Sequence, residues 1–422
     1  MGSWEIVKIE IIGEEILIMS DITHASIVPL IGGETIASHR AFGKPPMHFM
    51  SYEAFAANDR HIVNYYKDEV PYYVLDNDQA PPANERADVV ASVCPCAGLS
   101  MMSHGYGDQN ENNQWLTKTA KYILGEYKPK VFWGENAPGF AGKIGTNIRN
   151  EMKEIGRDNG YTMSVYRTKS LLHGVPQVRE RSFYFFWKDT GGKVPVFNYF
   201  SREYTPIEEL IRNVKSNFQT QPISKKKPSD NPYYKYILEE IHGGISHRDH
   251  SAAIDPTSAR GVDAFSYIER AGHTYHQVAA WMEANGYERE VDKCNYKHEK
   301  LANGGSIMRR GVIIPKDRIG AFVGHYPTML THPDEDRFIN YREAMSIMGL
   351  PEDFELVDAS PKVANHICQN VPVQTATDMA TEVMAVLNNE RLMVDSDYVL
   401  QYNGTKRLEY ETKIDTLEAY FS

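Results

Sequence analysis

The stretch ADVVASVCPCAGLS (87–100) sets Cys94 and Cys96 two residues apart, just past the apolar run 89–93. A thiol on a tight loop beyond a buried strand can ligate a metal, form a redox pair or act as a nucleophile. A zinc site needs two more ligands at suitable spacing. Cys294 and Cys368 stand alone, with no cysteine or regularly spaced histidine beside them, so no metal site is expected. Redox pairs are usually spaced C-x-x-C rather than C-x-C. A nucleophilic cysteine remains. Two other segments carry groups that suit one. VFWGENAPG (131–139) puts Glu135 and Asn136 just past another apolar strand, and HGVPQVRERSFYFFW (173–187) puts Gln177, Arg179 and Arg181 at the entrance to a third.

Together, in this order and spacing, the three segments resemble the cytosine-C5 DNA methyltransferase family. CPCAGLS is similar to its catalytic Pro-Cys loop, GENAPG to its Glu-Asn motif and GVPQVRERSFYFF to its Gln-x-Arg-x-Arg motif. DRFINYREAMSIMGLPEDF (336–354) and HICQNVPV (366–373) resemble its two closing motifs, so the likeness covers residues 26 to about 190 and 325 to 390. The resemblance implies a DNA (cytosine-5)-methyltransferase acting on double-stranded DNA, with Cys96 as nucleophile and Glu135 at the N3/N4 edge of the base. It places Arg179, with Gln177 and Arg181, around that base and beside the thiolate. The chemistry is coherent. Cytosine C5 is a poor nucleophile, and adding a thiolate to C6 turns the ring into an enamine that is nucleophilic at C5. The base cannot react inside a duplex and must be flipped out. The glycine-rich, polar loop 97–113, with Ser100 as a DNA contact, suits a lid over the flipped base.

The donor side departs from the family. S-adenosylmethionine is there held by F-x-G-x-G-G after the first strand. Here VPLIGG (28–33) keeps Gly32 and Gly33, while Val28 and Leu30 replace the aromatic residue and the first glycine. Donor-side candidates are Ile31, Gly32, Gly33, Glu53 for the ribose hydroxyls, Asp76 on the adenine side, Pro95, Asn370 and Val371. The family's closing Gly-Asn reads Gln369-Asn370, and Ala97 stands where Pro-Cys-Gln is usual. These departures leave open another one-carbon donor, such as methylenetetrahydrofolate for hydroxymethylation, using the same Cys–Glu attack. An inactive DNA-binding homologue is a third reading, opposed by intact Cys96, Glu135 and Arg179.

The elements that must position these groups are legible as a rhythm. Apolar runs predict strands at 26–30, 47–52, 88–93, 131–134, 162–167 and 181–187, and helical spacing predicts helices at 34–42, 54–66 and 114–127. The expected fold is α/β: a doubly wound, mostly parallel sheet of the Rossmann-like methyltransferase type, with a smaller, loop-rich target-recognition domain inserted. The expected parts are catalytic segments 1–194 and 331–392, a recognition domain at 195–330, and a peripheral polar tail at 393–422. The helix within 371–389 is expected to pack back on the first segment.

Bulk properties set outer limits. The 422 residues are 42% hydrophobic and 24% charged, as in ordinary globular proteins. Four cysteines do not make a disulfide framework and suit a reducing compartment. Glu5, Glu10, Glu14 and Glu15 break up the N-terminal apolar stretches, so no secretory leader is expected. No run approaches the ~20 apolar residues of a membrane helix. A monomer in the cytoplasm of a bacterial or phage-infected cell is expected. The net charge is −11, yet residues 201–330 hold 18 Lys+Arg against 16 Asp+Glu, and 7 of the 15 histidines. That asymmetry suits a segment that meets a polyanion. Lys225, Lys226 and Lys227 are expected on phosphates, which fix position, and Arg309 and Arg310 on guanine edges, which specify sequence.

Overall fold

The computed structural model describes residues 21–67, 69–100, 107, 110–215, 219–255, 262–307, 311–324 and 326–412. The first half alternates strand and helix: β1 (His24–Ile27), α1 (Gly33–Phe42), β2 (Phe49–Ser51), α2 (Ala56–Tyr65), β3 (Tyr72–Val74), β4 (Val89–Ser92), α3 (Gln114–Tyr122), β5 (Val131–Asn136), α4 (Thr146–Asp158), β6 (Tyr161–Lys169), β7 (Glu180–Lys188) and β8 (Lys193–Pro195). Then follow α5 (Ile207–Arg212), α6 (Pro232–Tyr236), α7 (His247–Ala253), β9 (Val262–Asp263), α8 (Ala264–Arg270), α9 (Tyr275–Ala284), α10 (Glu288–Ala302), β10 (Ile313–Ile314), α11 (Tyr341–Ile347), α12 (Pro361–Gln369), α13 (Val373–Leu387), β11 (Met393–Tyr402) and β12 (Arg407–Thr412). No described helix is long and apolar enough to cross a membrane.

The central strands read as continuous apolar runs because helices cover both faces of the sheet. Every residue of β1, β4 and β5 is buried. The sheet order is β12-β11-β6-β7-β5-β4-β1-β2-β3, with β8 paired to β11. From β3 to β5 all neighbours are parallel. β7 then runs antiparallel to both β5 and β6. That reversal brings the start of β7 beside the end of β5. α13 lies along α1, burying Val373, Ala376, Ala380 and Val383, as the apolar spacing of 371–389 led us to expect.

Two expectations are corrected. The segment beyond residue 392 is no peripheral tail: β11 adds parallel to β6, and β12 closes antiparallel on β11. Its alternation is masked by polar and charged residues, but Val399 is buried and Leu400 packs against the core. The middle segment is helical rather than loop-rich. A second apolar cluster, with Tyr234, Ile237, Ile268, Val278, Met282 and Cys294, is built from α6, α8, α9 and α10 and the bend between them. α10 hides its period because Cys294 is its one fully buried residue, so its helical repeat lies in charges. α9 starts with a capping box in which Thr274 and Gln277 satisfy each other's backbone amides, a signal that was readable.

Candidate active site

Cys96 and Glu135 are brought together by the parallel pairing of β4 with β5, in which Ser92 faces Gly134. The Pro-Cys loop and the Glu-Asn pair therefore leave adjacent strands at their carboxyl ends, where wound sheets place ligands. Gly134 is small because a Cβ there would lie 2.3 Å from the Tyr184 hydroxyl. Gly139 lets the turn after β5 press on the Leu99 carbonyl, seating the cysteine loop. The Asn136 side-chain amide adds a 3.5 Å hydrogen bond to the Cys94 carbonyl. Cys96 is half-buried, with φ −104° and ψ 4°, the sparsely allowed bridge region common at active sites. Cys94 instead faces inward, its Sγ 3.2 Å from Ser92 Oγ.

The antiparallel register of β7 sets Ser182 against Asn136, so Arg181 arrives beside the Glu135 carboxylate. The two form an ion pair, Glu135 being 2% and Arg181 8% exposed. Burial pushes the Cys96 thiol up; the Arg181 guanidinium opposes this, Glu135 reinforces it and Arg179 opposes it again. The thiol, the carboxylate and the two guanidiniums thus form one electrostatic unit. Arg179 is completely buried and spends its donors on carbonyls, at 2.8 Å to Phe322, 2.5 Å to Cys368 and 2.8 Å to Asn370. It ties the approach to β7 to the end of α12. Burial and the neighbouring Arg181 lower its pKa, while Glu135 and Cys96 raise it. Gln177 belongs to the same clasp, its Oε1 accepting the Phe322 amide at 3.2 Å.

In the loop between β1 and α1, where the donor was expected, both glycines pack closely against their neighbours. A Cβ on Gly32, whose φ is 92°, would collide with Ile62, and one on Gly33 would lie 2.3 Å from the Val371 carbonyl. Gly33 N–H donates to Asn370 Oδ1 at 2.9 Å, so Gly33, Asn370 and Val371 do meet. Asn370 Nδ2 is buried with no partner among the described residues. Leu30 and Val28 both have φ 53°, which ends β1 earlier than the sequence led us to expect. Left-handed backbone costs a non-glycine residue about 1–2 kcal/mol. Ile31 is fully buried, and Pro95 is half-buried beside Cys96. Glu53 is exposed just past β2; its amide donates to Asp76 Oδ2 at 3.2 Å, and Lys118 Nζ holds Asp76 Oδ1 at 2.7 Å.

The family profile of C-5 cytosine-specific DNA methylases matches residues 31–385. This chain belongs to that family. The methylase is 22% identical over 328 residues to the type II methyltransferase M.PspPI of Psychrobacter sp. (strain TA137), an overlap of 74% of this chain and 68% of that protein. It is 25% identical over 326 residues to M.Bpa9945I of Bacillus paralicheniformis (strain ATCC 9945a / NCIMB 11709 / CD-2), covering 71% of each. In fold it is similar to a prophage-encoded Escherichia coli protein described as a DNA modification methyltransferase (TM-score 0.52, 16% identity, 87% of this chain and 100% of that one). It is also similar in fold to the Entamoeba histolytica methyltransferase EhMeth (TM-score 0.52, 12% identity, 87% and 99%).

The methylase's remaining predicted residues are dispersed. Lys225, Lys226 and Lys227 are exposed ahead of α6, and Ser100 is half-buried next to the Pro-Cys loop. Arg309 and Arg310, and most of the expected lid between Ser100 and Asn110, lie outside the described residues. Asp59, Lys118 and Tyr184 were missed from the sequence. Asp59 carried a signal: an acid at a position of α2 that turns toward the sheet.

Proposed function

We propose that this methylase transfers a methyl group from S-adenosylmethionine to C5 of a cytosine flipped out of duplex DNA, with Cys96 attacking C6. The observation that carries this reading is the meeting of Cys96, Glu135 and Arg181 where β4 and β5 end and β7 begins. In the free enzyme burial outweighs the arginines and the thiol holds its proton. Attack therefore requires that proton to leave as the base enters, and the ion-paired Glu135 carboxylate beside the thiol is placed to take it. As the Sγ–C6 bond forms, negative charge builds toward N3, and the carboxyl group that has taken the thiol proton holds it against that charge. Glu135 suits that role because Arg181 keeps its carboxyl group aimed from a buried position. Cys96 leaves again by elimination once the C5 proton has passed to water. Arg179 and Gln177 act by holding residues 322 and 368–370 against the pocket.

S-adenosylmethionine supplies an electrophilic methyl group when bound. The loop at 28–33 suits it: the glycines leave close backbone, and the unpartnered Asn370 Nδ2 offers a donor beside them. Glu53 and Asp76, exposed at the ends of β2 and β3, would face the ribose and adenine. Leu30 keeps the left-handed backbone available to the glycine it replaces, which supports the usual donor over another one-carbon carrier. We assign DNA recognition to residues 195–330 and catalysis to 1–194 and 331–392, with the tail completing the sheet.

Nucleoside mass spectrometry of DNA incubated with enzyme and S-adenosylmethionine is expected to show 5-methylcytosine. Glu135→Gln keeps the shape and removes the acid, and its single-turnover rate is expected to fall by about 10²–10⁴ with little change in DNA affinity. A wild-type rate in that variant overturns the role of Glu135. Calorimetry without S-adenosylmethionine binding, with and without DNA, overturns the donor.

A further inference from the structure

Leucine is poorly suited to the backbone that Leu30 adopts. Its φ of 53° is a conformation glycine takes freely, and a β-carbon is crowded there. Something must hold it. The Leu30 amide donates to Asp59 Oδ1 at 2.9 Å. The other oxygen, Oδ2, accepts from Ser51 Oγ at 2.5 Å and from the Tyr72 hydroxyl at 3.0 Å. Asp59 is fully buried on α2. Its three donors come from three places: the loop after β1, the end of β2 and the start of β3. Two residues past Ser51 is Glu53, and four past Tyr72 is Asp76, the two acids on the donor side. One turn along α2, Ile62 closes on Gly32 of the same loop.

We propose that Asp59 is the positioning residue of the donor loop: its carboxyl group clamps the Leu30 amide and ties the loop to β2 and β3, allowing leucine to stand in a left-handed position. Asp59 touches neither donor nor base. It acts through Leu30, and it fixes the loop relative to Glu53 and Asp76. The inference rests on the reading that residues 28–33 hold S-adenosylmethionine.

The test is a coupled set of variants read by S-adenosylmethionine calorimetry without DNA and by hydrogen exchange of 28–33 without donor. Asp59→Ala is expected to weaken donor binding about tenfold or more and to speed exchange at Leu30, because a buried amide loses its acceptor. Asp59→Asn retains an oxygen for that amide and is expected to stay within about threefold of wild type. Leu30→Gly needs no clamp, so Asp59→Ala/Leu30→Gly is expected to bind within about threefold of Leu30→Gly alone. A merely structural carboxyl group would show the same loss in both backgrounds, and that result overturns the proposal, as does Asp59→Ala binding like wild type. If Asp59→Ala does not fold, Ser51→Ala and Tyr72→Phe loosen Oδ2 alone and are expected to give smaller losses, again suppressed by Leu30→Gly. If the wild-type protein binds no S-adenosylmethionine, the donor assignment fails, and exchange still decides the clamp: unchanged exchange at Leu30 in Asp59→Ala overturns it.

Discussion

Cys96 is poised between opposing influences, and Arg181 is the strongest of those that favour its thiolate. Removing that charge raises the thiol pKa further, so a larger share stays protonated at a given pH. The rate of adduct formation rises with pH as thiolate accumulates. In Arg181→Gln that rise is expected at higher pH than in wild type, and Arg181→Lys is expected to lie between them. A single-turnover pH profile measures this, and superimposed profiles would contradict the coupling. Arg181→Gln also leaves the buried Glu135 charge without its partner, a loss of about 3–5 kcal/mol in comparable buried pairs, so unfolding is measured alongside. At this scale the sequence was highly informative. Cys96, Glu135 and Arg181 were readable because motif spacing survives where chemistry needs particular atoms. Asp59 was not flagged: its inward place on α2 was readable, but its role depends on the left-handed backbone of Leu30, which the sequence does not reveal.

At the scale of elements, the wound half of the chain was legible because buried strands and amphipathic helices carry their periods in apolar residues. α3 and the turn after it, for example, bury Leu116, Ala120, Ile123, Leu124 and Tyr127 at helical spacing. The middle segment was not, because α10 writes its helical repeat in charges. Arg289, Lys293 and Lys297 recur every four residues, with Lys300 beside them, while Glu288, Asp292 and Glu299 fall on an adjacent stripe. Next to the cationic stripe lies a cavity of about 290 Å³ lined by Tyr233, Phe265, Glu290, Lys293, Lys297 and Gly311, in which Glu290 pairs with Lys293 at 2.6 Å and leaves Lys297 over the aromatic wall. Lys297 Nζ sits 4.9 Å above the Phe265 ring. Such a face suits phosphates, which position a duplex without reading it. Lys293→Glu/Lys297→Glu is therefore expected to weaken binding to all DNA sequences alike and to flatten its salt dependence. Fluorescence anisotropy across a salt series checks this; an unchanged slope would remove α10 from the interface.

Across the whole molecule, several buried ionisable groups set how stability varies with pH. Burial depresses His24, His48 and His61 to about 4 and His250 to about 3. These histidines fold neutral, so the stability they contribute is lost as pH falls below about 6.5. Burial raises Asp59 to about 7 and Glu34 to about 8. Below those values the two are protonated in the folded protein, so their contribution is lost progressively as pH rises from about 4, where the unfolded chain ionises, to those values. Thermal unfolding is expected to show greatest stability near pH 6.5 and a decline from there to about pH 8, where it levels off. Glu34→Gln, neutral throughout, is expected to flatten the alkaline decline. An unchanged decline in that variant would show that Glu34 does not ionise there. None of this was legible in composition, since it depends on which acids the sheet and helices enclose.

Covalent attack by Cys96 is tested most directly by mass spectrometry of the enzyme after reaction, with S-adenosylmethionine present, with mixed-sequence duplex DNA carrying 5-fluorocytosine for cytosine. Once C5 is methylated, fluorine cannot leave it as a proton does, so the adduct is trapped. The account predicts a protein–DNA adduct that maps to the peptide containing Cys96 and disappears in Cys96→Ser, with Cys94→Ser still forming it. An adduct on another residue, or 5-methylcytosine formed by Cys96→Ser on ordinary DNA, would contradict it.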